Sequence, residues 1–229
     1  MKQFHNEDMM APNVLRVAID ASAGGEILKM LGSGFGRRNL ATMSPPWSSD
    51  MKWISAGSHK AFAVFQREFD RLNIAAHVEP YLDLDKEVRL YSGFLVQRSV
   101  CRRTDFHVDW IDTNNEAFTL LTPLTDNAEG FGLLYEKVDG SLGEYDYKVG
   151  EALIIGDNFV HSTKPGRTAD PVVLLSFTFG TDKMEHWERI APTAAAQGPL
   201  ICRPDGTFQD KTSGRSLVAR AKRAFRRLA

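Results

Sequence analysis

The clearest pattern of apolar and polar positions in the chain is a helical stripe of aromatic residues. Within SHKAFAVFQREFDRLNI, Phe62, Phe65, Phe69 and Leu72 recur at spacings of three and four. That spacing places their side chains on one face of an α-helix. Ser58 stands just before the stripe, and serine is a preferred N-cap residue. The segment therefore predicts an amphipathic helix that packs against a sheet.

The remainder of the first 75 residues reads as helix and loop. DASAGGEILKMLG predicts a short helix that ends at Gly32. LGSGFGRRNL is rich in glycine, but it follows no clear strand and lacks the Lys-Ser/Thr pair of a phosphate-binding loop. It therefore predicts a flexible loop, and residues 1–75 as a whole predict a helical support region.

Between residues 76 and 180 the pattern changes to short runs that are rich in β-branched and aromatic residues. VRLYSGFLVQ, EAFTLLTPL, GFGLLYEKV, EALIIGD and VVLLSFTFG alternate with turn signals such as PLTDNAEG and KVDGSLG. Many short strands at this spacing predict a mostly β fold, either a sandwich or a barrel, with flanking helices.

Residues 181–229 are expected to form a C-terminal helical region and a basic tail. DKMEHWERIA predicts a closing helix, and GRSLVARAKRAFRRLA combines basic residues with apolar residues at helical spacing and contains no acid. Such a helix can lie on a membrane or on an acidic partner, or it can dock on its own domain.

Composition and charge narrow the class of protein. The net charge of −1 gives no electrostatic argument for binding nucleic acid. Two cysteines far apart in the sequence do not suggest a disulfide framework, so a reducing compartment is expected. No stretch has the length of a membrane span, and the N-terminus lacks the apolar core of a signal peptide. A cytoplasmic location is therefore expected, and oligomeric state stays open.

Candidate chemistry is concentrated in TDFHVDWID, where His107 and Asp109 stand two residues apart. In a strand this spacing directs both side chains to one face. A second histidine, His161, follows the apolar run and Gly-Asp of GEALIIGDNFVHSTKPGR. Two histidines and one carboxylate can hold one face of a six-coordinate Fe(II) and leave three positions open.

These segments resemble the Fe(II)- and 2-oxoglutarate-dependent oxygenases of the double-stranded β-helix type. FHVDW, GEALIIGDNFVHSTKPG and PVVLLSFTFG are similar to the family's His-X-Asp, its approach to the distal histidine and its final core strand. The resemblance implies one domain with a jelly-roll, cupin-like core over residues 76–180. It also implies that His107, Asp109 and His161 ligate iron.

The resemblance further implies a dioxygenase that uses Fe(II), 2-oxoglutarate and O2 to hydroxylate a small-molecule C–H bond, releasing succinate and CO2. The carboxylate of Asp109 favours hydroxylation, because halogenating relatives carry a small residue there. The family binds the distal carboxylate of 2-oxoglutarate with a cation, and the final strand here has none. The candidates for binding this cosubstrate are Arg167, Arg98, Tyr91 and Thr119.

Two other readings stay open at this point. One is a cupin-like metalloprotein without 2-oxoglutarate chemistry, and the other is a jelly-roll binding module. Several residues near the motif also have two readings. Arg102 and Arg103 suit an acidic substrate or a solvated loop, while Phe106 and Trp110 suit a pocket wall or the core.

Overall fold

The computed structural model describes residues 4–44, 51–128 and 131–210. Its strands, in chain order, are β1 His5–Asn6, β2 Ala11–Pro12, β3 Val14–Ala18, β4 Leu40–Met43, β5 Met51–Ala56, β6 Arg89–Cys101, β7 Ala117–Pro123, β8 Gly132–Glu136, β9 Leu142–Asp146, β10 Glu151–Ile155, β11 His161–Thr163, β12 Gly166–Gly180, β13 Leu200–Cys202 and β14 Phe208–Asp210. The α-helices are α1 Gly25–Gly32, α2 Gly34–Asn39, α3 His59–Arg71, α4 Ala75–Val78 and α5 Trp187–Ala196, with 3-10 turns at Glu79–Tyr81 and Met184–His186.

Two antiparallel sheets face each other and form the core. The larger sheet has the strand order β3-β10-β7-β12-β6-β5-β4, and the smaller has the order β11-β8-β9. Leu133 and Tyr135 of the smaller sheet share a buried apolar cluster with Leu153 and Leu174 of the larger one. The predicted fold class, mostly β with a jelly-roll core and flanking helices, is confirmed.

The long strand β12 shows how residue alternation divides the interior. Val173, Leu175, Phe177 and Phe179 point to the helical side and belong to the cluster that contains α3. The Phe69 ring of α3 contacts the Phe177 and Phe179 rings at centroid distances of 5.5 and 5.2 Å. The predicted aromatic helix therefore packs on the sheet as expected, because its apolar face contacts the residues of β12 that point to the helical side.

The contact between α3 and the sheet is close enough to require a glycine. A Cβ added at Gly93 of β6 would lie 2.6 Å from three atoms of Phe65, well inside van der Waals contact. The missing side chain at Gly93 thus makes the space that Phe65 fills, and Phe65 is fully buried there.

The prediction that residues 1–75 form only helix and loop is wrong. Three strands of this region, β3, β4 and β5, join the larger sheet. β5 pairs with β6 from Met51↔Arg98 to Ser55↔Phe94. These strands are short, and their pairing partners lie far away in the sequence, so local pattern gave little sign of them.

The glycine-rich segment is a helix, α2, and not the predicted flexible loop. The Ser33 hydroxyl caps it by accepting a hydrogen bond from the Gly36 N–H. A side chain at Gly36 would overlap the carbonyl oxygen of Met30. The glycine therefore serves the tight passage from α1 to α2 and not chain flexibility.

The N-cap of α3 gives a first prediction. The Ser58 hydroxyl accepts from the Ala61 N–H at 3.2 Å and donates to the Asn39 side-chain oxygen at 2.8 Å. Ser58→Ala should lower the free energy of unfolding by about 1 kcal/mol, measured by urea denaturation. Ser58→Asp keeps an accepting oxygen and should lose less; equal losses would show that the cap is not the cause.

The C-terminal region is described only in part. The predicted closing helix is present as α5, preceded by the turn Met184–His186. The predicted basic helix, residues 214–229, lies outside the described residues. Within the part of the chain that the structure describes, none of the helices combines the length and the apolar character that crossing a bilayer requires.

Candidate metal centre

Backbone pairing brings the two histidine segments together. The His107 N–H donates to the His161 carbonyl, and the His161 N–H donates to the His107 carbonyl, both at 2.9 Å. The Asn158 N–H also donates to the Trp110 carbonyl at 3.0 Å. Two stretches that are remote in sequence thus become direct neighbours, which local pattern alone does not establish.

The segment that carries His107 and Asp109 is not the strand that was predicted. It is irregular, and its pairing consists of isolated bridges, His107 with His161 and Trp110 with Asp157. Asp112, Asn114 and Asn115 then adopt the left-handed backbone conformation. Asp and Asn are enriched there, so the run DTNN was the available signal for a turn instead of a continuing strand.

The structure brings the two imidazoles and the carboxylate of the predicted group together. The candidate ligand atoms of His107, Asp109 and His161 all lie within 4.8 Å of one another. His107 Nε2 and Asp109 Oδ1 are 3.7 Å apart. Adjacent ligands of an ion with bonds near 2 Å are separated by about 3 Å. Small side-chain rotations therefore suffice to close the group around one ion.

Backbone carbonyl groups orient both imidazoles. His107 Nδ1 lies 2.8 Å from the Asp105 carbonyl oxygen, and His161 Nδ1 lies 3.0 Å from that of Phe159. A carbonyl oxygen only accepts, so each Nδ1 carries the hydrogen and donates it. Each Nε2 is left with its lone pair, the arrangement that metal-ligating histidines use.

Burial also favours the neutral imidazole of His161. Removal from water is the main cause that lowers its pKa, and the neighbouring His107 lowers the pKa further. The Phe159 ring stacks against the His161 ring at a centroid distance of 5.5 Å. A buried, neutral and sterically fixed imidazole is ready to donate its lone pair to a cation.

A buried carboxylate joins the two segments behind the ligands. Asp157 is fully buried, and its carboxylate accepts hydrogen bonds from the Thr113 hydroxyl and the Asn115 N–H. The Asn13 side-chain amide donates to the Asp157 carbonyl at 2.7 Å. The sequence analysis did not identify Asn13, Thr113 and Asn115 as residues that support the site.

Ser162 forms a hydrogen bond with the segment that carries His107. Its hydroxyl accepts a hydrogen bond from the Asp105 N–H at 2.8 Å. Asp105 in turn supplies the carbonyl that binds His107 Nδ1. Ser162 therefore acts on the neighbouring segment, and the carbonyl bonded to the His161 ring belongs to Phe159.

Two of the predicted cosubstrate residues use their hydroxyls within the protein. Tyr91 is fully buried beside Trp187, and its hydroxyl donates to the Thr181 carbonyl at 2.7 Å. Burial raises the pKa of Tyr91. The Thr119 hydroxyl accepts from the Trp110 indole N–H at 3.0 Å, and Trp110 is itself a core residue.

The two predicted arginines occupy different environments. Arg98 of β6 is half-buried and pairs directly with Val172, a member of the inner apolar cluster. Burial is the main cause that raises the pKa of Tyr147, while Arg98 lowers it and Asp109 raises it by their charges. Tyr147 therefore lies within electrostatic reach of both groups, and sequence reasoning missed it. Arg167 is exposed at the start of β12.

Comparisons with known proteins agree with this architecture. No protein-family model matches the chain, and no curated protein matches it by sequence. Among solved structures, HygX from Streptomyces hygroscopicus with nickel and 2-oxoglutarate bound matches with a TM-score of 0.54 and 15% identity, over 74% of this chain and 83% of HygX.

Two further structures are similar to the same extent. A 2OG-Fe(II) oxygenase family oxidoreductase from Burkholderia pseudomallei matches with a TM-score of 0.54 and 10% identity, over 73% of this chain and 85% of its own. A Pseudomonas putida prolyl-4-hydroxylase matches with a TM-score of 0.51 and 14% identity, over 74% of this chain and 92% of the hydroxylase. The chain thus has the fold of the 2-oxoglutarate-Fe(II) oxygenases, and identities this low carry the fold alone.

Proposed function

We propose that this protein is an Fe(II)- and 2-oxoglutarate-dependent dioxygenase that hydroxylates a C–H bond of a small molecule. The single observation that carries the proposal is the convergence of His107, Asp109 and His161, with both Nε2 lone pairs available. The shared fold supports it, because HygX was crystallised with nickel and 2-oxoglutarate bound.

The donor set suits ferrous iron. Two imidazoles and one carboxylate on one side of an ion form the facial arrangement of non-haem Fe(II) oxygenases. His107, Asp109 and His161 would hold the ion. Together with 2-oxoglutarate it would supply the activation of O2 and the oxidation of the substrate carbon, with release of succinate and CO2. The chain itself orients the imidazoles and keeps water away from the buried side of His161.

Arg98 is the proposed anchor for the distal carboxylate of 2-oxoglutarate. Its direct pairing with Val172, a member of the inner apolar cluster, supports this role, because paired residues of antiparallel strands direct their side chains to the same face. A guanidinium can hold a carboxylate through two parallel hydrogen bonds. Tyr147 lies within electrostatic reach of this guanidinium, since the charge of Arg98 lowers the pKa of Tyr147. Arg167, which is exposed, is the competing candidate.

The two arginines are distinguished by a binding experiment. Arg98→Ala should weaken 2-oxoglutarate binding to the anaerobic Fe(II) protein by about 30-fold, because a charge-assisted pair of hydrogen bonds is lost. The readout is a titration of the weak visible charge-transfer band. Arg167→Ala is the matched control and should leave the titration unchanged.

Each other outcome of this titration has a clear meaning. A 30-fold loss of 2-oxoglutarate affinity in Arg167→Ala with none in Arg98→Ala would identify Arg167 of β12 as the anchor. Iron binding without any 2-oxoglutarate band in the unaltered protein would support a cupin-like metalloprotein. Absence of iron binding would support a jelly-roll binding module.

A further inference from the structure

Helix α5 runs alongside the segment that carries Asp109. Its Thr193 hydroxyl donates a hydrogen bond to the Asp109 carbonyl at 2.8 Å, and its Arg189 guanidinium donates to the Asp112 carbonyl at 3.2 Å. Residues four apart lie on the same face of an α-helix, so both donors belong to one face of α5. The later residue of the helix bonds the earlier residue of the segment, and the two therefore lie side by side in opposite directions.

Apolar packing holds α5 in this place. Trp110, which follows Asp109, is fully buried and belongs to the same apolar cluster as Ile190 and Ala194 of α5. Its indole N–H donates to the Thr119 hydroxyl of β7 at 3.0 Å. The Trp110 side chain is therefore fixed by both the helix and the larger sheet, and the neighbouring backbone of Asp109 has little freedom to move away from α5.

Asp109 depends on α5 in a way that the two histidine ligands do not. His107 and His161 bond each other through their backbones, and backbone carbonyls hold both rings. The Asp109 carbonyl instead accepts from the Thr193 side chain. The Asp109 carboxylate lies 3.7 Å from His107 Nε2 and has to come within about 3 Å to share an ion with it. A displacement of the Asp109 backbone by about 1 Å is therefore enough to separate the carboxylate from that ion.

We propose that Thr193 is a positioning residue for Asp109: its hydroxyl holds the backbone of this ligand where the carboxylate meets the same ion as the two imidazoles. The inference rests on the proposed function, and it adds a residue outside the ligand group that governs the geometry of the metal site. Arg189 makes the same kind of bond, but its partner Asp112 does not belong to the ligand group. Arg189 therefore supports the segment without positioning the carboxylate.

The positioning role is tested by anaerobic titration of the full-length protein with Fe(II). Thr193→Val removes the hydroxyl but keeps the branched shape of the side chain, and it should weaken iron binding by about tenfold, because the support of one ligand is lost. Thr193→Ser keeps the donor and should bind iron as the unaltered protein does. Rescue by serine separates the hydrogen bond from a general effect of changing a residue of α5.

A second measurement uses the protein without any metal. Hydrogen exchange followed by mass spectrometry should show faster exchange in residues 105–112 of Thr193→Val, because the segment is held less firmly. Thr193→Ser should exchange as the unaltered protein does. Urea denaturation confirms that each variant is folded, and Thr193→Ala, which fits any space that threonine occupies, carries the same expectation where valine is poorly accommodated.

Arg189→Met is the matched control, since it removes the donors of the neighbouring bond on the same helix face, and it should leave iron affinity unchanged. Two results would overturn the role of Thr193: unaltered iron affinity in folded Thr193→Val, and an equal loss in Arg189→Met. Iron binding without a 2-oxoglutarate band in the unaltered protein would refute the oxygenase proposal, while the iron titrations would still decide the role of Thr193. Absence of iron binding would refute both.

Discussion

Replacing His107 with alanine is expected to lower Fe(II) affinity by at least 100-fold and to abolish the 2-oxoglutarate charge-transfer band. The physical reason is the loss of one of three protein ligands, which leaves a two-ligand site. His161→Ala should have the same effect on iron. His107 gives the cleaner experiment, because its side chain is partly exposed and its removal leaves a smaller cavity than removal of the buried His161.

The chain offers a control for this experiment. His77-Val78-Glu79 has the same spacing of histidine and carboxylate, but it lies at the end of α4 and in the following turn. Among the described residues, neither His77 nor Glu79 belongs to a group of side chains close enough to share an ion. His77→Ala should bind iron normally. Retention of the band in both His107→Ala and His161→Ala would refute the ligand assignment.

Replacing Asp157 with alanine is expected to lower the free energy of unfolding by about 3 kcal/mol. The change would leave the Thr113 hydroxyl and the Asn115 N–H without their buried acceptor. Fe(II) affinity should also fall, by 10- to 100-fold, since Asp157 helps to hold the segments that carry the ligands. Urea denaturation measures the first effect, and metal titration of the folded protein measures the second.

Asp139→Ala is the matched control, because Asp139 also accepts a backbone N–H and a hydroxyl, both from Ser141, but is exposed. Its loss should cost much less stability than the loss of Asp157, and it should leave iron affinity unchanged. Normal iron affinity in a folded Asp157→Ala variant would show that the buried carboxylate stabilises the fold without positioning the ligands.

Several features of this protein could be predicted from local sequence pattern. The stripe of Phe62, Phe65 and Phe69 predicted an amphipathic helix, because helical spacing puts these side chains on one face whatever they pack against. Ser58 was recognisable as its cap for an equally local reason. The runs that became β6, β7, β10 and β12 were recognisable from their composition and bounding turns.

Other features depended on partners remote in the sequence. β3, β4 and β5 are short strands that exist because the larger sheet offers them an edge, and no local signal encodes that edge. The same reason applies to Tyr91, whose hydroxyl was a candidate for binding the cosubstrate. In the folded chain this hydroxyl donates a hydrogen bond to the Thr181 carbonyl, and the Tyr91 ring lies beside the Trp187 ring.

The candidate site likewise has features that the sequence determined and features that only the tertiary structure decided. The sequence by itself determined the identity and order of His107, Asp109 and His161, since only side-chain chemistry and the resemblance were needed to select them. Tertiary structure decided how they meet: through reciprocal backbone bonds between two segments, carbonyls that fix each imidazole, and the buried carboxylate of Asp157. Local pattern records which groups a chain carries, whereas distances between remote segments follow from packing of the whole fold.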